Sequence, residues 1–353
     1  MQNATVSKTR IVEFDLLKIV ALLLIIFVHS DLIFVFPEII NPTKWFLVSS
    51  FFFISGFLVY NSFHSREASI LRFVKTKLVL LYIPFVLFSL FYFVLQIILG
   101  MTKPNLLYLL SHLAMFNIFD ALNAVHNWDF LWFIPYLLFF MLIFCVTEKY
   151  VKKPKLQILI ILATWLCAIL AWGYDTNLRL GMVFTQYFLV FMAGVWLNKF
   201  KMYEKVTQVK ATLVAVPVAA VSLLDFSGIF TLGNVTETVE YLLYFNGRSI
   251  AFSLCTIFLV LIVLRKINVS RNRFVELTVA TSILIYFMEP FVSYMIRNYV
   301  FGQPAIYYAS GLEFYVYQAL RIAVLFLMLP AAVKLFRKNQ IKKRLDFKTN
   351  QSN

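Results

Sequence analysis

The sequence predicts an all-α, polytopic membrane protein with ten transmembrane helices and with both termini in the cytoplasm. Three observations carry that reading. Of 353 residues, 61% are hydrophobic and only 14% charged, whereas a soluble domain carries about 25% charged residues. Apolar stretches of spanning length recur through the whole chain, which favours one membrane domain. Finally, the basic residues alternate from loop to loop in the way that fixes orientation in a bilayer.

The ten stretches cover about 14–36, 45–63, 78–99, 129–147, 156–173, 180–198, 209–226, 247–264, 275–296 and 312–333, close to the roughly 20 residues that a helix needs to cross the hydrocarbon. The eighth and tenth have the least sharp boundaries: Asn246, Gly247 and Arg248 crowd one entrance and Arg321 interrupts the other. Residues 1–12 then form a cytoplasmic tail, 13–335 the membrane domain and 336–353 a basic cytoplasmic tail. The first apolar run is too long for a cleavable signal peptide, and further spans follow it.

With the N-terminus inside, 25 of the 32 Lys and Arg residues fall on the cytoplasmic side. Five lie outside: Lys44, Lys103, Arg179, Arg248 and Arg297. Lys18 and Arg321 remain within spans. A miscounted span would invert the bias from that point on, so the charges test the division independently. The net charge of +15 is therefore a topology signal in short clusters, and nucleic acid is excluded as a partner.

Cys145, Cys167 and Cys255 lie inside apolar runs and read as small buried apolar residues. No metal site is expected, because His29, His64, His112 and His126 form no ligand-spaced cluster. Two external loops, 100–128 and 227–246, are long. The first contains YLLSHLAMFNIF, which reads as an interfacial or re-entrant helix. The second holds Asn234-Val235-Thr236, a match to the glycosylation acceptor that matters only in a glycosylating cell.

An ionisable group within the membrane is expensive and is a functional hypothesis by default. Asp15, Lys18 and His29 punctuate the first span, FDLLKIVALLLIIFVHS. Lys18 and His29 are eleven residues apart, within about 20° of one helical face and about 16 Å apart along the axis. Histidine titrates near working pH and suits proton abstraction from an alcohol. A lysine at the inner end can hold an anionic group such as phosphate. The bland alternative has Lys18 snorkelling to the inner surface beside Asp15, with His29 hydrogen-bonded in the bundle.

Ser55-Gly56 in FFFISGFLVY offers a small surface for close approach by another helix or a substrate tail, and helix packing is the commoner use. A basic stretch, Arg66 to Lys77, leads to Pro84. In HNWDFLWFIPY, Trp128 and Trp132 fit the interfacial aromatic belt, while His126 and Asp129, three apart, share a face at the external mouth. Glu289 and Arg321 sit in the central or outer membrane, where an ion pair is geometrically open to them, structural and catalytic roles being equally weighted.

Asp15, Lys18 and His29, the SGF element Ser55-Gly56-Phe57 and the LWF element Leu131-Trp132-Phe133 together resemble the membrane-bound acyltransferase 3 family, the O-acyltransferases of surface polysaccharides. That family has ten spanning helices. Its first begins with an aspartate and a basic residue, and carries an essential histidine eleven residues after the latter. The resemblance runs from about residue 10 to 335 and has departures. Lys18 stands for the usual arginine, Lys75 and Lys77 stand where many relatives have arginines, and Glu289 stands where a late histidine is common.

The resemblance implies transfer of an acyl group, commonly acetyl from acetyl-CoA, to a hydroxyl of an envelope glycan or lipid-linked sugar. Acyl-CoA would be a donor substrate, with no cofactor bound permanently. Lys18, Arg72, Lys75 and Lys77 would meet it from the cytoplasm, and His29 would serve as general base or acyl relay. Asp15, Ser55, His126, Asp129, Trp132, Glu289 and Arg321 are the candidates for contact with the acceptor. Membrane lipids are the remaining partners. A transporter or flippase for a polysaccharide or lipid-linked sugar is the alternative, since polar groups inside a bundle also mark transport paths; no inverted repeat is evident. A receptor or scaffold is a third reading.

Overall fold

The computed structural model describes residues 11–28, 37–64, 69–100, 106–113, 129–174, 179–208, 211–226, 238–267, 273–302 and 312–325. All regular structure among them is helical. The helices are α1 (Val12–Val28), α2 (Pro37–His64), α3 (Ile70–Lys77), α4 (Ile83–Ile98), α5 (Leu106–Leu113), α6 (Phe133–Tyr150), α7 (Pro154–Tyr174), α8 (Arg179–Lys199), the single turn α9 (Tyr203–Val206), α10 (Thr212–Phe226), α11 (Thr238–Ile267) and α12 (Arg273–Met295), followed by α13 (312–325). Each of the ten apolar stretches is occupied by a helix over its described part. Six helical segments among the described residues are long and apolar enough to cross a membrane: Phe46–His64, Ile70–Ile98, Phe133–Tyr150, Pro154–Ala171, Leu243–Ile267 and Val275–Val300. The chain is thus an all-α, multi-pass membrane protein.

The second of these segments explains how a proline sits in a span. Pro84 has no N–H, and its ring clashes with the carbonyl four residues earlier, at Leu80. The helix absorbs this with a π-helical turn, Leu78–Tyr82, between α3 and α4. At the other end Gly100 adopts φ +67° and closes α4 by accepting the left-handed conformation that a Cβ disfavours.

Two compact units divide the chain: Met1–Val48 with Val260–Asn353, and Ser49–Leu259. In the first, α1 packs along α12. Phe14, Leu17, Ala21, Leu22, Ile25 and Ile26 are buried on α1, the three- and four-residue spacing of one helical stripe.

The second unit is organised by a close crossing of α2 and α8. A Cβ on Gly56 would stand 2.0 Å from the Phe191 carbonyl oxygen, and one on Gly194 would stand 2.1 Å from that of Phe53. Both helices therefore need glycine where they touch, since lipid offers no hydrophobic drive and backbone approach supplies the packing. Asn198 Nδ2 donates to the Phe57 carbonyl at 2.6 Å on the same seam. Around it lies an aromatic core in which Phe140 meets Phe52, Phe188 and Phe191 at 5.1, 5.3 and 5.9 Å between centroids. α7 packs on α8 and is anchored by Trp165 Nε1 donating to the Thr185 carbonyl at 2.7 Å.

The three cysteines are all thiols, but they are not all buried. Cys145 is enclosed, Cys255 is partly exposed and Cys167 is exposed. The expectation of burial fails for Cys167 because α7 turns most of its apolar surface outward, as Leu159, Leu162, Leu166 and Leu170 do. In a bilayer an apolar run does not imply an interior position.

Candidate functional site

In the first unit, the candidate residues fall on three helices. Glu13 and Asp15 occupy the first turn of α1, where negative charge complements the exposed N–H groups of the helix start. Asp15 is buried at 5% exposure, and Lys18, one turn on, is half-buried. His29 follows the last residue of α1 and lies outside the described residues.

Glu289 on α12 and Arg321 on α13 form the anticipated ion pair. Their side chains are 1% and 0% exposed, and Arg321 Nη2 donates to Glu289 Oε1. That carboxylate oxygen also accepts from Ser293 Oγ at 2.8 Å, one turn along α12. Gln318 Oε1 accepts from Arg321 Nη1 at 3.5 Å. Arg321 Nη2 makes one further bond, to the carbonyl of Ile26. That contact was not legible beforehand, since a backbone acceptor leaves no mark in sequence. It joins the pair to the end of α1 that leads into His29. The guanidinium carbon also lies 5.9 Å from the Tyr317 ring centre, a cation–π distance.

In the second unit, Arg72 and Lys75 on α3 are exposed, and Lys77 Nζ lies 5.2 Å from the centre of the Phe73 ring. Phe73 is the buried residue of α3, so its aromatic side anchors the helix while its cationic side faces outward. Ser55 is partly exposed beside the Gly56 crossing, and close helix packing at this element is what Gly56 does. A 3₁₀ turn, Asp129–Trp132, opens α6. Trp132 is partly exposed and packs against Tyr187 at 5.9 Å and Phe52 at 6.4 Å between centroids. Its place in the LWF element thus has a packing function on α2 and α8. His126 lies outside the described residues.

One cluster escaped the sequence reading. Glu148 Oε2 receives Lys199 Nζ at 2.6 Å, and Gln157 Oε1 receives the same ammonium at 2.6 Å. Gln157 Nε2 donates to Glu148 at 3.1 Å and to the Val151 carbonyl at 2.6 Å. His64 Nε2 stands 3.5 Å from the other Glu148 oxygen. The signal available was Glu148 itself, one carboxylate amid Lys149, Lys152, Lys153 and Lys155. Among the described residues, no three His, Cys, Asp or Glu side chains are grouped to hold a metal.

No curated protein and no solved structure matches the chain. A family model described as acyltransferase domain matches residues 11–342. That stretch takes in α1 through α13, the SGF and LWF elements and the Glu289–Arg321 pair. The chain therefore belongs to the membrane-bound acyltransferase 3 family.

Proposed function

We propose that the protein transfers an acyl group, acetyl first among them, from cytosolic acyl-CoA to a hydroxyl of a cell-envelope carbohydrate or lipid-linked glycan. The observation that carries this reading is the family match over residues 11–342. In the proposed arrangement ten helices cross the cell membrane with both termini in the cytoplasm. Residues 13–335 form the catalytic membrane domain and the basic tail from 336 fixes topology.

Arg72 and Lys75, exposed on α3, meet the donor phosphates with Lys77 and with Lys18 of α1. Cationic side chains at a helix face suit such an anion, lysine acting as a point charge rather than a planar fork. His29 takes the proton from the acceptor hydroxyl as its oxygen attacks the thioester carbonyl, and the CoA thiolate leaves. As a relay, His29 instead carries the acyl group as an acyl-imidazole before the hydroxyl takes it. Asp15, Ser55, His126, Asp129, Trp132, Glu289 and Arg321 contact or frame the acceptor in this scheme.

The test is transfer of label from acyl-labelled acetyl-CoA to envelope glycans in membranes holding the intact chain or His29→Ala at equal levels. Transfer by the intact chain, lost in His29→Ala, supports the reading and places the chemistry after α1. Equal transfer by both removes His29 from the mechanism. No transfer by either turns attention to transport of a polysaccharide or lipid-linked sugar.

A further inference from the structure

Several helix ends of the second unit are pinned together. His64 closes α2 and lies 3.5 Å from Glu148 near the end of α6. Lys199 closes α8 and lies 2.6 Å from the same carboxylate. α3 starts at this end as well, because its Phe73 ring is 5.6 Å from Phe63. From there the apolar helix runs through the π-helical turn into α4 and away from the pinned end. α4 therefore finishes, and α6 starts, at the far end. The chain between Ile98 and Phe133 leaves and returns on one side.

Yet Tyr82 Oη donates to the carbonyl of Leu113, the last residue of α5, at 2.6 Å. Tyr82 stands sixteen residues before Ile98, about 24 Å back along the helix. After the left-handed turn at Gly100, α5 thus runs back beside α4 and stops at membrane depth. The final carbonyls of a helix have no partner within it, and the Tyr82 hydroxyl takes one of them. Backbone that ends inside the bilayer is tolerated where protein buries it or where it lines a wet cavity.

The buried face of α4 beside this end is polar rather than apolar. Leu87, Val94 and Ile98 are exposed, at 61%, 51% and 74%, as lipid-facing residues. The buried residues of α4 are Phe85, Ser89, Tyr92 and Gln96, spaced by four, three and four to make one stripe. Three of the four are polar, in a helix otherwise made for hydrocarbon. Gln96 is 4% exposed, and its Oε1 has no hydrogen-bond partner among the described residues. A buried amide oxygen left unsatisfied is costly, so a ligand that bonds to it explains its retention.

We propose that α5 is a re-entrant helix and that the Ser89–Tyr92–Gln96 face beside it is a subsite for an uncharged, hydroxyl-bearing ligand, the carbohydrate acceptor. The face carries hydrogen-bonding groups without a fixed charge. A charged ligand at that depth would need a counter-charge, and an apolar one would leave the amide unsatisfied. Gln96 lies at the end of α4 opposite Arg72, Lys75 and Lys77, which suits an acceptor approaching from the side opposite the donor. This assignment of the ligand rests on the acyl-transfer reading.

The experiment replaces Gln96 or Ser89 by cysteine in a chain whose Cys145, Cys167 and Cys255 are alanines, at matched membrane levels. Right-side-out vesicles are treated with a membrane-impermeant maleimide, alone, with neutral oligosaccharides released from the source cells' envelope, or with acetyl-CoA loaded inside the vesicles, on the side of Arg72, Lys75 and Lys77. Gln96→Cys should be labelled, Ser89→Cys more slowly because it lies about 10 Å deeper, and the oligosaccharides should slow labelling of Gln96→Cys several-fold while acetyl-CoA leaves it unchanged. Absence of labelling at both positions means dry packing and overturns the subsite. Protection by acetyl-CoA alone, or by neither compound, overturns its assignment to the acceptor. Because protection is read without transfer, failure of the subsite and failure of the acyltransferase reading remain distinguishable. In the transfer assay, Gln96→Leu should raise the acceptor KM up to about tenfold, the worth of one neutral hydrogen bond, with the donor KM unchanged.

Discussion

The Arg321 guanidinium donates to the carbonyl of Ile26, three residues before His29, while it is paired with Glu289. One side chain thus joins α1, α12 and α13 without exposing any of its surface. The first prediction follows from the burial. Removing one member of such a pair strands a charge, which costs about 3–5 kcal/mol, whereas removing both costs far less. Glu289→Leu and Arg321→Leu should each lower the thermal midpoint in detergent strongly, and the double variant should recover most of the loss. If the double variant is as unstable as the sum of the two, Glu289 and Arg321 do not act as one unit. The double variant should still lose acyl transfer, because the Ile26 carbonyl has lost its donor.

The α2–α8 crossing gives a contrast among glycines. Gly56→Ala and Gly194→Ala each place a methyl near 2 Å from a backbone oxygen, at 2.0 and 2.1 Å respectively, and backbone cannot step aside as a flexible side chain can. Each should cost more than about 2 kcal/mol in a detergent melt, at the upper part of the usual range for overpacking. Gly247 on α11 has nothing within 4 Å of a built Cβ. Gly247→Ala should be neutral or stabilise by about 0.5–1 kcal/mol, the helical preference for alanine. Equal losses at all three positions would argue against the close crossing.

Glu148 is the hub of the pinned end, with Lys199, Gln157 and His64 around it. The Glu148 and Lys199 side chains are 12% and 14% exposed, so solvent screens little of their attraction. Glu148→Gln should destabilise the protein by about 1–3 kcal/mol, the cost of leaving a partly buried ammonium without its carboxylate. Lys199→Met in the same chain should restore most of that loss, as read in thermal melts of the four members of the cycle.

The helices over the described parts of the ten apolar stretches were legible because a bilayer demands unbroken runs of about 20 residues; six helical segments among the described residues reach spanning length. Glu289 and Arg321 were legible because charges in hydrocarbon seek one another. Gly56 was visible as a small residue, but Gly194, its counterpart, was not, because which helices cross depends on tertiary packing that no local pattern records. The same holds for the Ile26 carbonyl and for Glu148. The π-helical turn before Pro84 follows from the missing N–H, yet its position at Leu78–Tyr82 does not. Cys167 was misread because apolar runs in a membrane protein have two apolar environments to choose between.

Cys167 supplies the last prediction. It is exposed on α7, whereas Cys145 is buried on α6, and α7 presents an apolar outer surface through Leu159, Leu166 and Leu170. In a bilayer that surface faces acyl chains, so Cys167 is reached through lipid and not through water. A lipid-soluble maleimide should label Cys167 in native membranes, an impermeant one should not, and neither should label Cys145. Labelling of Cys167 by the impermeant reagent from either side would place this part of α7 outside the hydrocarbon and would require the spans around it to be redrawn.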